Sequence, residues 1–192
     1  MDVKLEIISL FWRYPEQTFT INEIAKQLDG TYSYINRVVL QLIKENIILK
    51  KTVGHAFLCS LNKASEKTKA FLLLAEISRK EEYFLKHKNM QLLFKDFIKE
   101  LPKTAVSIIL FGSYAKETFT KESDIDILIT TTIKEDIAPV LRKMQKLHGK
   151  HISPLLFTIE EFQQRKNETV VTEIIKNHII LQGAEQFLQE VY

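Results

Sequence analysis

The stretch ILFGSYAKETFTKESDIDILIT, residues 109–130, restricts the fold of this chain more than any other. Two apolar runs flank a polar loop. AVSIILF (105–111) ends directly in Gly112-Ser113, and DIDILIT (124–130) opens with Asp124 and Asp126. Short, β-branched apolar runs bounded by turn residues predict two buried strands. Alternate side chains of a strand share a face, so Asp124 and Asp126 project together, followed by Leu128, while Ile125, Ile127 and Ile129 take the other face. Paired carboxylates among apolar neighbours repel each other, and burial adds to that cost. An exposed strand end relieves them; so does a bound divalent cation that takes oxygen ligands, Mg²⁺ or Mn²⁺. Gly112-Ser113 favours the cation. It stands where the first strand stops and YAKET can begin a helix, whose first N–H groups attract anions. Glycine admits a phosphate close to the backbone, and the serine hydroxyl adds a donor. One strand thus ends in a phosphate cradle and the next in a metal pair, which together suit a nucleoside triphosphate with its metal.

At 192 residues the chain holds one medium domain or two small ones. Its net charge of +3 permits nucleic-acid binding without arguing for it. The single cysteine, Cys59, excludes an internal disulfide, fits a reducing compartment and reads as a small core residue. No apolar run approaches the ~18 residues of a membrane span. Charges interrupt the N-terminal MDVKLEIISLFWRY, so it reads as an amphipathic helix, and the expected location is cytoplasmic.

Residues 1–62 form the first expected domain. Val3, Ile7, Leu10 and Phe11 fall at helical spacing, and Pro15 closes that helix. In TINEIAKQL, Thr20 and Glu23 have the spacing of a capping box. Gly30 suits a tight turn. YSYINRVVLQLIKEN follows, burying Ile35, Val38, Val39, Leu42 and Ile43 and leaving Ser33, Tyr34, Asn36, Arg37 and Gln41 on or near the open face. IILKKTVGHAFLCSL reads as a hairpin with its tip near Gly54. Helix, helix, turn, helix and hairpin resembles the winged helix-turn-helix family. The resemblance implies a third helix that enters a DNA major groove, with Tyr34, Asn36 and Arg37 at the duplex and Lys50, Lys51 and His55 at phosphates. Protein–protein docking is the other known use of such modules.

Residues 63–101 read as a helical connector, with one helix marked by Phe71, Leu72, Ala75 and Ile77 and another by Leu92, Leu93, Phe97 and Leu101. The surplus apolar surface of Leu72, Leu73 and Leu74 fits packing against both flanking domains or a second copy, which would make a homodimer.

Residues 102–192 carry the opening motif. GSYAKETFTKESDIDILI resembles the Gly-Ser…Asp-x-Asp signature of the DNA polymerase beta nucleotidyltransferase superfamily, and is most similar to its minimal, kanamycin-type branch. Weaker similarity continues through ISPLLFTIEEF and EIIKNHIILQGAEQF. The resemblance implies an α+β (α/β) chain ending in a mixed sheet with flanking helices. It also implies that Gly112, Ser113 and Lys116 bind the triphosphate of an NTP, expected to be ATP, and that Asp124 and Asp126 are the catalytic metal ligands. The reaction implied is attack by an acceptor hydroxyl on the α-phosphate with loss of pyrophosphate; the acceptor itself is not named by the sequence.

Two departures stand out. Relatives usually have Gly two residues after the motif's Ala, but Ala115 is followed by Lys116 and Glu117. Relatives also carry a third carboxylate on a later strand, yet HISPLLF (151–157) has none, with Ser153 or Pro154 at the corresponding position; Glu160 and Glu161 come after it. His148 and His151 lie in the same region and read first as surface or packed residues. Three functional readings follow. One is a metal-dependent nucleotidyltransferase with a DNA-binding domain. Another is a DNA-binding regulator whose nucleotidyltransferase-like domain senses nucleotide without turnover. The third is an enzyme that adds a nucleotide to a partner protein.

Overall fold

The structure, a computed structural model, describes residues 2–54 and 56–191. The chain divides into two compact units, one up to Ser78 and one from Arg79 on.

In the first unit, α1 (Val3–Arg13), α2 (Ile21–Gln27) and α3 (Tyr32–Lys44) precede an antiparallel hairpin of β1 (Ile48–Val53) and β2 (Ala56–Leu61). Asp2 caps α1 by accepting from the Lys4 N–H. The Thr20–Glu23 capping box is present: Thr20 N–H donates to Glu23 Oε2 at 2.7 Å, and Glu23 N–H to Thr20 Oγ1 at 3.3 Å. Ile7, Phe11, Ile24, Ile35, Val39 and Leu42 close the core; Ile43 is only half-buried. Phe19 and Cys59 exchange both backbone hydrogen bonds, at 3.0 and 2.8 Å, which lays the segment before α2 alongside β2. Cys59 is fully buried, and burial pushes its thiol up. The turn before α3 differs from expectation. Asp29, not Gly30, takes the left-handed conformation (φ 49°). At Gly30 a Cβ would stand 3.0 Å from Ile35 Cδ1, so a side chain there would press on the next helix.

Helix α4 (Glu66–Lys86) contains the point of division. The second unit continues with α5 (Lys88–Glu100), β3 (Ala105–Leu110), the single turn α6 (Gly112–Ala115), β4 (Ile125–Thr131), α7 (Ala138–His148), β5 (Ile152–Thr158), α8 (Ile159–Arg165), α9 (Thr169–Lys176), β6 (Ile179–Gln182) and α10 (Ala184–Val191). The four strands lie in the order β5-β4-β3-β6. β3 is antiparallel to β4 and β6, and β4 is parallel to β5.

The period-two reading of β4 holds. Ile125, Ile127 and Ile129 pack into one cluster with Tyr83, Leu93, Phe94, Phe97 and Met144. On the other face α8 and α10 close over the sheet with Phe162 and Phe187, whose rings are 5.8 Å apart. His148 Nε2 stands 3.0 Å from Asp96 Oδ2, joining α7 to α5. Among the described residues no helix is long and apolar enough to cross a membrane.

Candidate functional site

The antiparallel pairing of β3 and β4 runs Ile109↔Leu128 and Leu110↔Ile127. One step further, Phe111 N–H donates to the Asp126 carbonyl at 3.0 Å. The chain then turns through Gly112 (φ +68°), a conformation that glycine alone adopts without strain. Gly112 meets a second demand as well: a Cβ there would sit 2.1 Å from Asp126 Oδ2. The Gly112 α-carbon therefore lies flat against the Asp126 carboxylate, and the first turn of α6 starts from it with N–H groups that have no intrahelical acceptor.

Asp126 is half-buried, while Asp124, just before the strand, is exposed. Burial pushes the Asp126 carboxyl above the usual carboxylate range, and the Asp124 charge adds to it. Two like charges are thus held close together at this strand end. The imidazole of His151 stands 3.3 Å from Asp124, Nδ1 to Oδ1. Sequence reasoning reads this histidine first as a surface or packed residue. The signal for it lies in the parallel pairing of β4 with β5, where Ile125↔Ile152 brings the preceding residues side by side.

Gly112, Ser113, Asp124 and Asp126 come together at one end of the sheet. Lys116 caps the far end of α6 and is exposed. Its charge reaches Glu173 of α9, whose carboxyl is held low chiefly by Lys176. Glu117 takes a left-handed conformation (φ 57°), the backbone that the usual glycine would supply without strain. Its carboxylate turns to Lys86 of α4, at 3.1 Å.

In the register of β4 and β5, Ser153 is the direct partner of Asp126. Glu160 and Glu161 do not reach this end. Thr158 pairs with Thr131 at the opposite end of the parallel ladder, about 16 Å along the strand from Ser153. There Glu161 caps α8 by accepting from Thr158 N–H, and it pairs with Lys134 at 2.6 Å. Among the described residues no group of three or more His, Cys, Asp or Glu gathers as a metal cage.

In the first unit Tyr34 and Arg37 are exposed one turn apart on α3, with the guanidinium 5.2 Å from the tyrosine ring centre. Asn36 is half-buried and Lys51 exposed. Lys50 Nζ sits 3.4 Å from the centre of the Phe57 ring. His55 lies outside the described residues.

Residues 93–181 match the model of the nucleotidyltransferase domain family. Two proteins of Methanocaldococcus jannaschii are similar to this chain. The one named "Putative protein adenylyltransferase MJ0604" is 30% identical over 98 residues, covering 48% of this chain and 98% of its own length. "Putative protein adenylyltransferase MJ1547" is 35% identical over 83 residues, 43% of this chain and 60% of its own length. No solved structure matches the chain at a comparable level. A mixed sheet with flanking helices, this family match and a relative covered almost end to end define the class: the chain belongs to the nucleotidyltransferase family. Its chemistry is nucleotidyl transfer.

Proposed function

We propose that the second unit transfers a nucleoside monophosphate from an NTP to an acceptor hydroxyl at the strand end formed by Gly112, Ser113, Asp124 and Asp126. The observation that carries this reading is the contact of the Gly112 α-carbon with the Asp126 carboxylate, since it brings a glycine turn at a helix start beside paired carboxylates. The donor set fits a hard divalent cation: two carboxylates, one of them pushed up by burial and by its neighbour, hold surplus negative charge that Mg²⁺ or Mn²⁺ would neutralise. When bound, the ion supplies charge stabilisation to the transferring phosphate and the leaving pyrophosphate.

The chain's own residues do the positioning. Gly112 admits a phosphate against the backbone, the first N–H groups of α6 and the Ser113 hydroxyl donate to its oxygens, and Lys116 contributes a mobile cation at the rim. The acceptor oxygen forms the new bond to the α-phosphorus, the α–β anhydride bond breaks, pyrophosphate leaves with its electron pair, and the hydroxyl proton goes to solvent. The names of the two relatives support ATP as donor and a protein hydroxyl as acceptor.

Titration calorimetry with ATP and Mg²⁺ tests the reading. Binding that disappears in Asp124→Asn/Asp126→Asn is expected; no nucleotide binding with any divalent ion would reject it. Labelled AMP appearing on a protein in lysate would assign the acceptor class.

A second reading has its own observation, the hydroxyl of Ser153 beside Asp126 where relatives carry a carboxylate. It makes the chain a DNA-binding regulator that senses nucleotide without turnover. The element order of the first unit supports a winged helix-turn-helix over residues 1–62, with Tyr34, Asn36, Arg37 and Lys51 at the duplex. Nucleotide binding without pyrophosphate release, together with nucleotide-dependent affinity for double-stranded DNA, identifies it. Duplex binding unchanged in Arg37→Ala/Lys51→Ala counts against the DNA interface. Leu74, 49% exposed on α4, supports a homodimer, which light scattering would reveal.

A further inference from the structure

The far side of the α6 loop carries a second feature, independent of the nucleotidyl-transfer reading. Tyr114 points away from Asp126 and packs with Ile125, Ile127 and Ile129, on the opposite face of the sheet. Beside it an open groove of about 740 Å³ runs between the α4–α5 junction and the loop that follows α6. Lys86 and Lys88 stand on one bank, Lys121 and Lys150 on the other, and among the described residues its lining includes no carboxylate. Glu117 at the rim offsets Lys86 alone.

The groove wall is aromatic. Phe119 stacks on Tyr114 (centroids 4.2 Å apart, planes 4°), with the His87 ring edge-on to Phe119 at 5.5 Å. Lys150 Nζ lies 5.8 Å from the Tyr114 ring centre.

Cations on both banks and an aromatic wall are the combination that single-stranded nucleic acid selects, with phosphates on the lysines and bases on the rings. An open trough suits a strand passing through it better than an enclosed small molecule. We propose that this groove binds single-stranded nucleic acid, with Lys121 and Lys150 on the backbone and Phe119 stacking a base.

Fluorescence anisotropy of the full chain with labelled oligo(U) and oligo(dT) of roughly ten nucleotides, across a salt series, tests it. Binding of either oligomer supports the groove, and the tighter one names the sugar. Lys121→Ala/Lys150→Ala is expected to weaken binding at least tenfold and to lower the slope of log K against log salt by about 1.4, near 0.7 per lost phosphate contact. Phe119→Ala is expected to weaken binding with the slope unchanged, and Lys121→Arg/Lys150→Arg to retain it. Wild-type melting temperatures for the variants separate loss of contacts from loss of fold. Affinity unchanged in the groove variants, or lost only in Arg37→Ala/Lys51→Ala, would overturn the proposal. So would equal competition by polyglutamate, which would point to an acidic protein segment, or by inorganic triphosphate, which would point to a free polyphosphate.

Discussion

Ser153 stands directly beside Asp126 in the parallel ladder of β4 and β5, and neighbours in one row of a sheet present their side chains to the same face. The site thus has two carboxylates and a hydroxyl along that edge.

Replacing the hydroxyl by a carboxylate sharpens the charge problem. Ser153→Asp is expected to destabilise the metal-free chain by about 1–3 kcal/mol through like-charge repulsion, and Mn²⁺ is expected to restore more stability to the variant than it gives the wild type. Melting temperatures with and without Mn²⁺ check both.

Asp126 itself is held at a stability cost. Its carboxyl is raised in the folded state above the ordinary value of 3.8, by burial first and by Asp124 second. A raised acid binds its proton more tightly when folded, so the fold is favoured at low pH and loses that stability as pH rises through the folded value. Asp126→Asn is therefore expected to raise ligand-free stability at neutral pH, with the gain shrinking as pH falls toward 3.8, while removing nucleotide-dependent stabilisation. Urea melts at several pH values measure the first effect, and thermal shifts with ATP and Mg²⁺ the second.

Gly112→Ala meets two obstacles, the left-handed backbone and the carboxylate 2.1 Å from the new methyl. The backbone term alone is about 1–2 kcal/mol; displacement of Asp126 adds to it. The expected outcome is a lower melting temperature together with loss of the ATP-induced shift.

Glu117 allows strain and ion pairing to be separated. Glu117→Gly relieves the left-handed residue, a gain of about 1 kcal/mol, and forfeits an exposed pair with Lys86, a loss of at most about 1 kcal/mol. Glu117→Ala forfeits the pair without relieving the strain. Chemical denaturation should therefore rank the glycine variant above the alanine variant.

Glu190 on α10 is 3% exposed, and burial pushes its carboxyl up, with Gln186 and Thr130 opposing part of the effect. By the same sign as Asp126, its ionisation costs stability as pH rises through the folded value. Glu190→Gln is expected to be more stable than the wild type at pH 8, with the difference vanishing below the ordinary glutamate value of 4.5. Melting curves across that range test it.

Much of the architecture was legible because period and punctuation report local structure. The alternation in DIDILIT separated the isoleucine face from the aspartate face, and Thr20 with Glu23 marked a helix start. What stayed hidden depends on pairing between distant segments. That Glu161 sits at the wrong end of its strand, and His151 beside Asp124, follows from the register of β4 with β5, which no local pattern encodes. The turn at Asp29-Gly30 stays hidden for a related reason: the left-handed residue is Asp29, and Gly30 sits close against Ile35 of the next helix, a contact that no local pattern encodes.

The hydrogen bond from Phe111 to the Asp126 carbonyl closes the intervening loop at its neck. Whatever residues 118–123 become, that neck keeps Gly112 and Asp126 together. Insertions and substitutions in that stretch are thereby decoupled from the contact of Gly112 with Asp126, so the loop can lengthen or change its surface without parting the two strand ends.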